Sequence, residues 1–254
     1  MSARSETMES VQHVDDLKPD VVEALLRWAL SLADTKHTIG MRISEWVNGT
    51  PALEAAVGAS ALTQDELGHA RAYFAFLRDF PGAPDALGFE NDLEARDVYY
   101  NPRILNEPWD SWLEMVAVNV LLDRALSVGV AATEKATFAP IRTRAAKILQ
   151  EEEYHRVFGD TWLARLAARG DQRTERLQEA IDRYWAVSLA WFGPDDDRIA
   201  ATLYQDNVLD STPGEMRVRW REQVSPLLER HGLEVPEGEP DWSRWNDAFR
   251  DLNP

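Results

Sequence analysis

The chain has 254 residues and a formal net charge of −17, and it contains no cysteine. The lack of cysteine excludes disulfides, thiolate zinc sites and thiol catalysis. The negative charge argues against nucleic acid as a partner, because the phosphate backbone needs a basic surface. No apolar run reaches the length of a membrane span, and the polar N-terminus lacks the apolar core of a signal peptide. We therefore expect no membrane segment and a cytoplasmic location.

Proline and glycine divide the chain into long helical stretches with almost no strand-type alternation. After a flexible arm at residues 1–18, a first helix runs from Pro19 to Val47. A second helix has Thr50 as its N-cap and ends near Phe80. Residues 81–108, rich in proline and glycine, form a long crossover. The remaining helices are predicted at 108–133, 140–170, 171–192, 195–209 and 213–231.

Two short hairpins joined by one long crossover are the connectivity of ferritin-like bundles. The predicted fold class is therefore all-α, a ferritin-like four-helix bundle with additional C-terminal helices. The bundle occupies residues 19–192, and residues 193–254 form a helical extension and tail.

The second and fourth helices each contain Glu-x-x-His, as Glu66 with His69 and as Glu152 with His155. Residues three apart lie on one face of a helix, so each pair can reach one metal ion. One such pair is weak evidence in a chain this acidic, because about one acid three residues before a histidine is expected by chance.

The register of the two motifs is stronger evidence than either motif alone. They are offset by 86 positions, and the same offset separates His37 from Asp123. Each half of the bundle thus reads as one polar residue on its first helix and a Glu-x-x-His on its second. Two such hairpins packed about a pseudo-two-fold axis place all six groups at one level of the core.

These six candidates lie on apolar helix faces. Burying an unpaired ionisable group there costs desolvation free energy, and a bound cation removes that cost. The predicted metal ligands are His37, Glu66, His69, Asp123, Glu152 and His155. Mixed histidine and carboxylate ligands suit iron or manganese, with zinc as a further option. The alternative is a buried, metal-free network of salt bridges and hydrogen bonds. Around the site, Asp34 is a candidate ligand or a partner that orients a histidine. Tyr73 is a candidate to shape a pocket or carry a radical, with core packing as the alternative.

At these motifs the sequence resembles the phenylacetic acid catabolic family over about residues 18–190. The resemblance rests on Leu32-Ala33-Asp34 and Ile39-Gly40, on Gln-Asp-Glu-x-Gly-His, on Leu122-Asp123 and on Glu-Glu-x-x-His. The family's catalytic subunit is a diiron monooxygenase that epoxidises an aryl-CoA ring with O₂ and reductase electrons, and its companion subunit is a metal-poor scaffold. The chain departs from the catalytic type at His37, where that type has a glutamate.

The resemblance implies two iron ions, a reductase component and an aromatic acyl-CoA or similar substrate. It also implies a homodimer or a hetero-oligomer with a paralogous ferritin-like subunit. Two other functions stay open from the sequence: a non-catalytic scaffold subunit of a multicomponent oxygenase, and a metal-binding oxidase or iron-handling protein of the same fold.

Overall fold

The computed structural model describes residues 10–85, 87, 96–170 and 172–254. In this part of the chain, helices dominate and the strands form only one short antiparallel pair, so the predicted all-α bundle is confirmed. The α-helices are α1 (Pro19–Trp46), α2 (Leu53–Leu77), α3 (Trp112–Val118), α4 (Arg124–Ala131), α5 (Ala139–Ala167), α6 (Gln172–Phe192), α7 (Arg198–Gln205) and α8 (Pro213–Arg230). The strands are β1 (Trp245–Asn246) and β2 (Asp251–Leu252).

The four helices of the bundle are α1, α2, the α3–α4 pair and α5. Helix α1 begins at Pro19, as predicted, because proline at the first helical position lacks only an N–H that would have no partner there. Helix α2 differs from the prediction at its start. It begins at Leu53, with Ala52 rather than Thr50 as the N-cap residue.

Helix α1 is buried on every side in its central part, from Ser31 to Gly40. Such a helix presents side chains to the core in all directions, so its apolar pattern does not define one inner face. None of the helices formed by the described residues is long and apolar enough to cross a membrane.

A π-helical turn at Asn119–Asp123 joins α3 to α4. It adds a residue to the helical turn and thereby changes the direction in which the following side chains point. The indole of Trp220 on α8 donates a hydrogen bond to the Leu121 carbonyl at 2.9 Å, which satisfies one of the backbone groups of this turn.

The C-terminal helices pack directly on the bundle: α7 lies against α1, and α8 lies against α4 and α6. At the other end of the chain, the described part of the predicted arm is paired with the loop before α5. Val11 donates to the Thr137 carbonyl at 3.0 Å and accepts from the Ala139 N–H at 2.9 Å. Residues 1–9 of that arm lie outside the described residues.

Candidate metal centre

Four of the predicted ligands converge at one buried point of the bundle. Glu66 comes from α2, Asp123 from the last residue of the π turn, and Glu152 and His155 from α5. One ligand atom of each lies within 4.8 Å of the others. All four side chains are buried, with at most 5% of any residue exposed.

His69 lies at the edge of this group. Its Nδ1 is 3.2 Å from Glu152 Oε1, and its ring centroid is 5.8 Å from that of His155. Its Nε2 shares a 2.8 Å hydrogen bond with the partly exposed carboxylate of Glu151. The carboxylate fixes the orientation of this imidazole, as partners of metal-binding histidines commonly do.

The side chain that α1 contributes to the centre is that of Lys36, which the sequence analysis did not single out. Its ammonium is fully buried and lies 2.5 Å from Asp123 Oδ1, 2.5 Å from Glu152 Oε1 and 3.2 Å from Glu66 Oε2. Three of the four converging ligands therefore share one cation supplied by the protein itself.

His37, the first-helix ligand expected from the sequence, points elsewhere. Its ring is stacked on Tyr99 at 5.8 Å between centroids, and it meets Phe74 edge-on at 6.0 Å. Lys36 rather than His37 thus occupies the α1 position at the centre, and His37 is not among the groups that converge there. The reason is that α1 is buried all around, so adjacent residues both have core surroundings and the spacing could not separate them.

Asp34, proposed as a partner of a ligand histidine, binds the crossover instead. It accepts a hydrogen bond from the Tyr100 backbone N–H at 2.7 Å and pairs with the guanidinium of Arg96. Tyr73 is buried in the core, and burial raises the pKa of its phenol well above the usual value.

The cations at the centre determine the charge of its carboxyls. Burial is the largest influence on the pKa of Asp123 and by itself raises it, but the ammonium of Lys36 and the imidazole of His155 together outweigh burial and hold the pKa well below its usual range. Burial and the neighbouring Asp123 act against ionised Glu152, but Lys36, His155 and the hydrogen bond with His69 together outweigh them, so its pKa is lowered too. These two residues are therefore carboxylates at neutral pH.

His155 and Glu66 respond differently. Burial opposes a charge on His155, but the surrounding carboxylates, those of Glu152, Asp123, Asp65 and Glu66, together outweigh it and raise the pKa of the imidazole far above its usual value. For Glu66, burial and the neighbouring Asp123 raise the pKa to about 7. The cluster therefore reaches near-neutral charge with Lys36 and His155 as its cations.

Two neutral side chains bind the oxygens of Asp123 and Glu152 that are not paired with Lys36. Asn119 donates to Asp123 Oδ2 at 3.2 Å, and the Ser127 hydroxyl donates to Glu152 Oε2 at 2.6 Å. Glu66 Oε2 is buried and accepts no hydrogen bond within the described part of the chain. Since Ser127 lies one helical turn after Asp123, sequence spacing alone could have identified it as a residue that supports the site.

A cavity of about 200 Å³ reaches the centre from the surface between the π turn, α4, α5 and α8. Asp123, Glu152 and His155 line it on the inside, and the arginines Arg156 and Arg219 line it further out. Its volume suits small molecules, because pockets for larger organic ligands are about 300–1,000 Å³.

The donor set fits a metal ion in its chemistry. Carboxylates and an imidazole from three helices converge on one buried point, and one carboxylate oxygen there lacks a hydrogen bond. This donor set favours iron, manganese or zinc. The ammonium of Lys36 stands among the same oxygens, so the site has its own cation as well.

An all-α bundle that gathers Glu-x-x-His pairs around a buried centre defines a class, the carboxylate-bridged metalloproteins and their metal-free relatives. A family model described as "Phenylacetic acid catabolic protein" matches residues 8–250. The chain belongs to this family, as the motifs predicted.

Two different components of the 1,2-phenylacetyl-CoA epoxidase of Escherichia coli K12 are similar to the chain over most of its length. One of them is 26% identical over 258 residues, which cover 95% of this chain and 82% of that protein. The other is 25% identical over 218 residues, covering 84% of each.

Proposed function

We propose that the chain is the metal-binding component of a multicomponent oxygenase, acting with O₂ and reductase electrons on an aromatic acyl-CoA or a similar substrate. The relatives are components of a phenylacetyl-CoA epoxidase, which supports the class of reaction and of substrate. The observation that carries the proposal is the convergence of Glu66, Asp123, Glu152 and His155 within 4.8 Å of one another.

In this proposal Glu66, Asp123 and Glu152 would supply carboxylate ligands to two iron ions, and His69 and His155 would each supply an imidazole ligand. When bound, reduced iron supplies the activation of O₂, a reaction that side chains alone do not perform. Asn119 and Ser127 hold the ligand carboxylates in place, since each donates a hydrogen bond to the carboxylate oxygen that is not paired with Lys36.

The bundle excludes bulk water from the centre, and the 200 Å³ cavity connects it to the surface. We propose that this cavity admits O₂, because it is too small for an acyl-CoA. The larger substrate then reaches the centre from another side.

The partner in this proposal is a paralogous helical-bundle protein, since both relatives are components of a complex. Exposed apolar side chains on α2 and α5 support a contact there. Val57 is 64% exposed and Val157 is 47% exposed. The residues that follow them, Gly58 and Phe158, lie against each other across α2 and α5, so both valines are near the contact of the two helices.

A second candidate function is a scaffold component that works without metal, and Lys36 is the observation that favours it. An ammonium shared by three buried carboxylates balances charge without an added ion. In a scaffold the ammonium of Lys36 stays among the three carboxylates permanently. In a metal-binding component it has to move away before a metal ion can bind them.

Metal analysis separates these functions. The protein is incubated anaerobically with excess Fe(II), desalted and assayed for iron, with optical spectra before and after O₂ exposure. We expect bound iron whose absorption changes on oxidation, loss of the iron in Glu66→Ala, and its retention in Glu153→Ala, which removes an exposed carboxylate one position after Glu152. Fewer than about one iron per two chains in the wild type, or full iron content in Glu66→Ala, contradicts the proposal.

A further inference from the structure

We infer that Lys36 is a built-in competitor for the metal: its ammonium takes the place of a metal ion at the centre, and metal loading requires its displacement. The inference concerns the same site as the proposed function and rests on the centre being able to bind metal. It assigns a role to a residue that neither the motifs nor the family resemblance marks.

Geometry makes the two cations mutually exclusive. Lys36 Nζ lies 2.5 Å from Asp123 Oδ1 and 2.5 Å from Glu152 Oε1. A transition-metal ion takes carboxylate oxygens at about 2.0–2.2 Å, so it needs the space that the ammonium fills. Both cations cannot bind these two oxygens at once.

The two oxygens of each carboxylate have different partners, which supports this role. Asp123 gives Oδ1 to Lys36 while Oδ2 accepts from Asn119, and Glu152 gives Oε1 to Lys36 while Oε2 accepts from Ser127. His155 Nδ1 also lies 3.2 Å from Asp123 Oδ2. Asn119, Ser127 and His155 therefore hold the two carboxylates independently of the ammonium, so Asp123 Oδ1 and Glu152 Oε1 stay available to a metal ion that replaces it.

Burial makes the competition strong. The side chain of Lys36 is 0% exposed, and those of its three carboxylate partners are at most 4% exposed. An unpaired charge in such surroundings is costly, so the cluster keeps a cation at all times. A metal ion that enters must therefore replace the ammonium and take over its stabilising role.

The test compares metal binding by the wild type with that of Lys36→Met and Lys36→Gln. Zn²⁺ and anaerobic Fe(II) are titrated calorimetrically, and the melting temperature is measured with and without Zn²⁺. Lys147→Met, which removes an exposed lysine on α5, is the matched control. We expect the Lys36 variants to bind at least about tenfold more tightly than the wild type and the control. We also expect them to melt lower without metal and to gain more on its addition.

Equal affinities for wild type and Lys36 variants, or weaker binding by the variants, overturn the inference. So does a variant that stays unfolded when refolded with Zn²⁺, because the metal then fails to replace the ammonium. Binding by the variants alone supports the inference but contradicts the proposed metal-dependent function of the wild type. Binding by neither contradicts both.

Discussion

Asp34 is a buried carboxylate that links α1 to the end of the crossover. Its side chain is 0% exposed, accepts from the Tyr100 N–H at 2.7 Å and pairs with Arg96. The guanidinium of Arg96 in turn lies 4.2 Å above the ring of Tyr99, the same ring on which His37 is stacked. Burial raises the pKa of Asp34 to about 6, although Arg96 and the Tyr100 N–H both act to lower it.

This raised pKa predicts a pH-dependent stability. Between the usual value of 3.8 and about 6, folded Asp34 binds more protons than unfolded Asp34, so its contribution to stability falls as pH rises through this window and levels off above it. We expect the free energy of unfolding of the wild type, relative to Asp34→Asn, to be about 2 kcal/mol higher at pH 4.5 than at pH 7.

Urea unfolding of both proteins at the two pH values measures this difference. Asp34→Asn serves as the non-titrating reference, since any loss of the ion pair with Arg96 affects it at both pH values. A difference between the two proteins that is the same at pH 4.5 and pH 7 contradicts the assignment.

At the residue scale, the sequence predicted the centre better than it predicted α1. The Glu-x-x-His spacing and the offset of 86 positions identified Glu66, Asp123, Glu152 and His155, which converge in the structure. Lys36 was not predicted, because a lysine is usually exposed and nothing in its local pattern reveals three carboxylates from other helices. Only the packing of α2, the π turn and α5 around α1 brings them together.

At the element scale, the π turn and α5 come unusually close. A Cβ added at Gly159 would lie 2.0 Å from Asn119 Oδ1 and 3.1 Å from a Val120 methyl group. Glycine is therefore needed where α5 crosses the turn that carries Asp123. The starts of α1, α5 and α8 at or beside a proline were predictable from sequence. This turn was not, since its sequence, Asn-Val-Leu-Leu-Asp, is that of an ordinary helix.

The close approach predicts opposite effects for two glycine substitutions. We expect Gly159→Ala to lower the free energy of unfolding by about 1–3 kcal/mol, because Asn119 and the turn must shift. Gly68→Ala is the matched control on α2, where no atom lies within 4 Å of the added Cβ. Alanine is the better helix former, so this variant should gain up to about 1 kcal/mol.

Denaturant unfolding of both variants checks the prediction, and metal titration shows whether the displaced Asn119 also disturbs Asp123. Gly159→Ala as stable as the wild type would mean that α5 can move away from the turn without cost. The packing argument for this crossing would then be wrong.

At the scale of the whole molecule, Arg250 fastens the C-terminal tail to the bundle. Its guanidinium donates to the carbonyls of Trp191 and Phe192 at the end of α6, both at 2.6 Å, and pairs with Asp197 at 2.9 Å. It also lies 4.7 Å from the ring of Trp28 on α1. One buried cation thus connects the tail, α6, the start of α7 and the first helix, and it complements the negative end of the α6 dipole.

Loss of this cation should destabilise the whole chain. We expect Arg250→Met to lower the free energy of unfolding by about 3–5 kcal/mol, because it leaves Asp197, only 2% exposed, as a buried charge without its partner. Arg250→Lys should rescue little, since one ammonium cannot reproduce the planar set of donors that two carbonyls and a carboxylate require.

Arg156, an exposed arginine that pairs with surface carboxylates, is the control. Arg156→Met should change the free energy of unfolding by no more than about 0.5 kcal/mol. Unfolding in guanidinium chloride, followed by tryptophan fluorescence, measures the stability of all three variants. If Arg250→Met unfolds at the same denaturant concentration as Arg156→Met, the tail is not fastened to the bundle through this residue, and the C-terminal segment contributes little to the stability of the bundle.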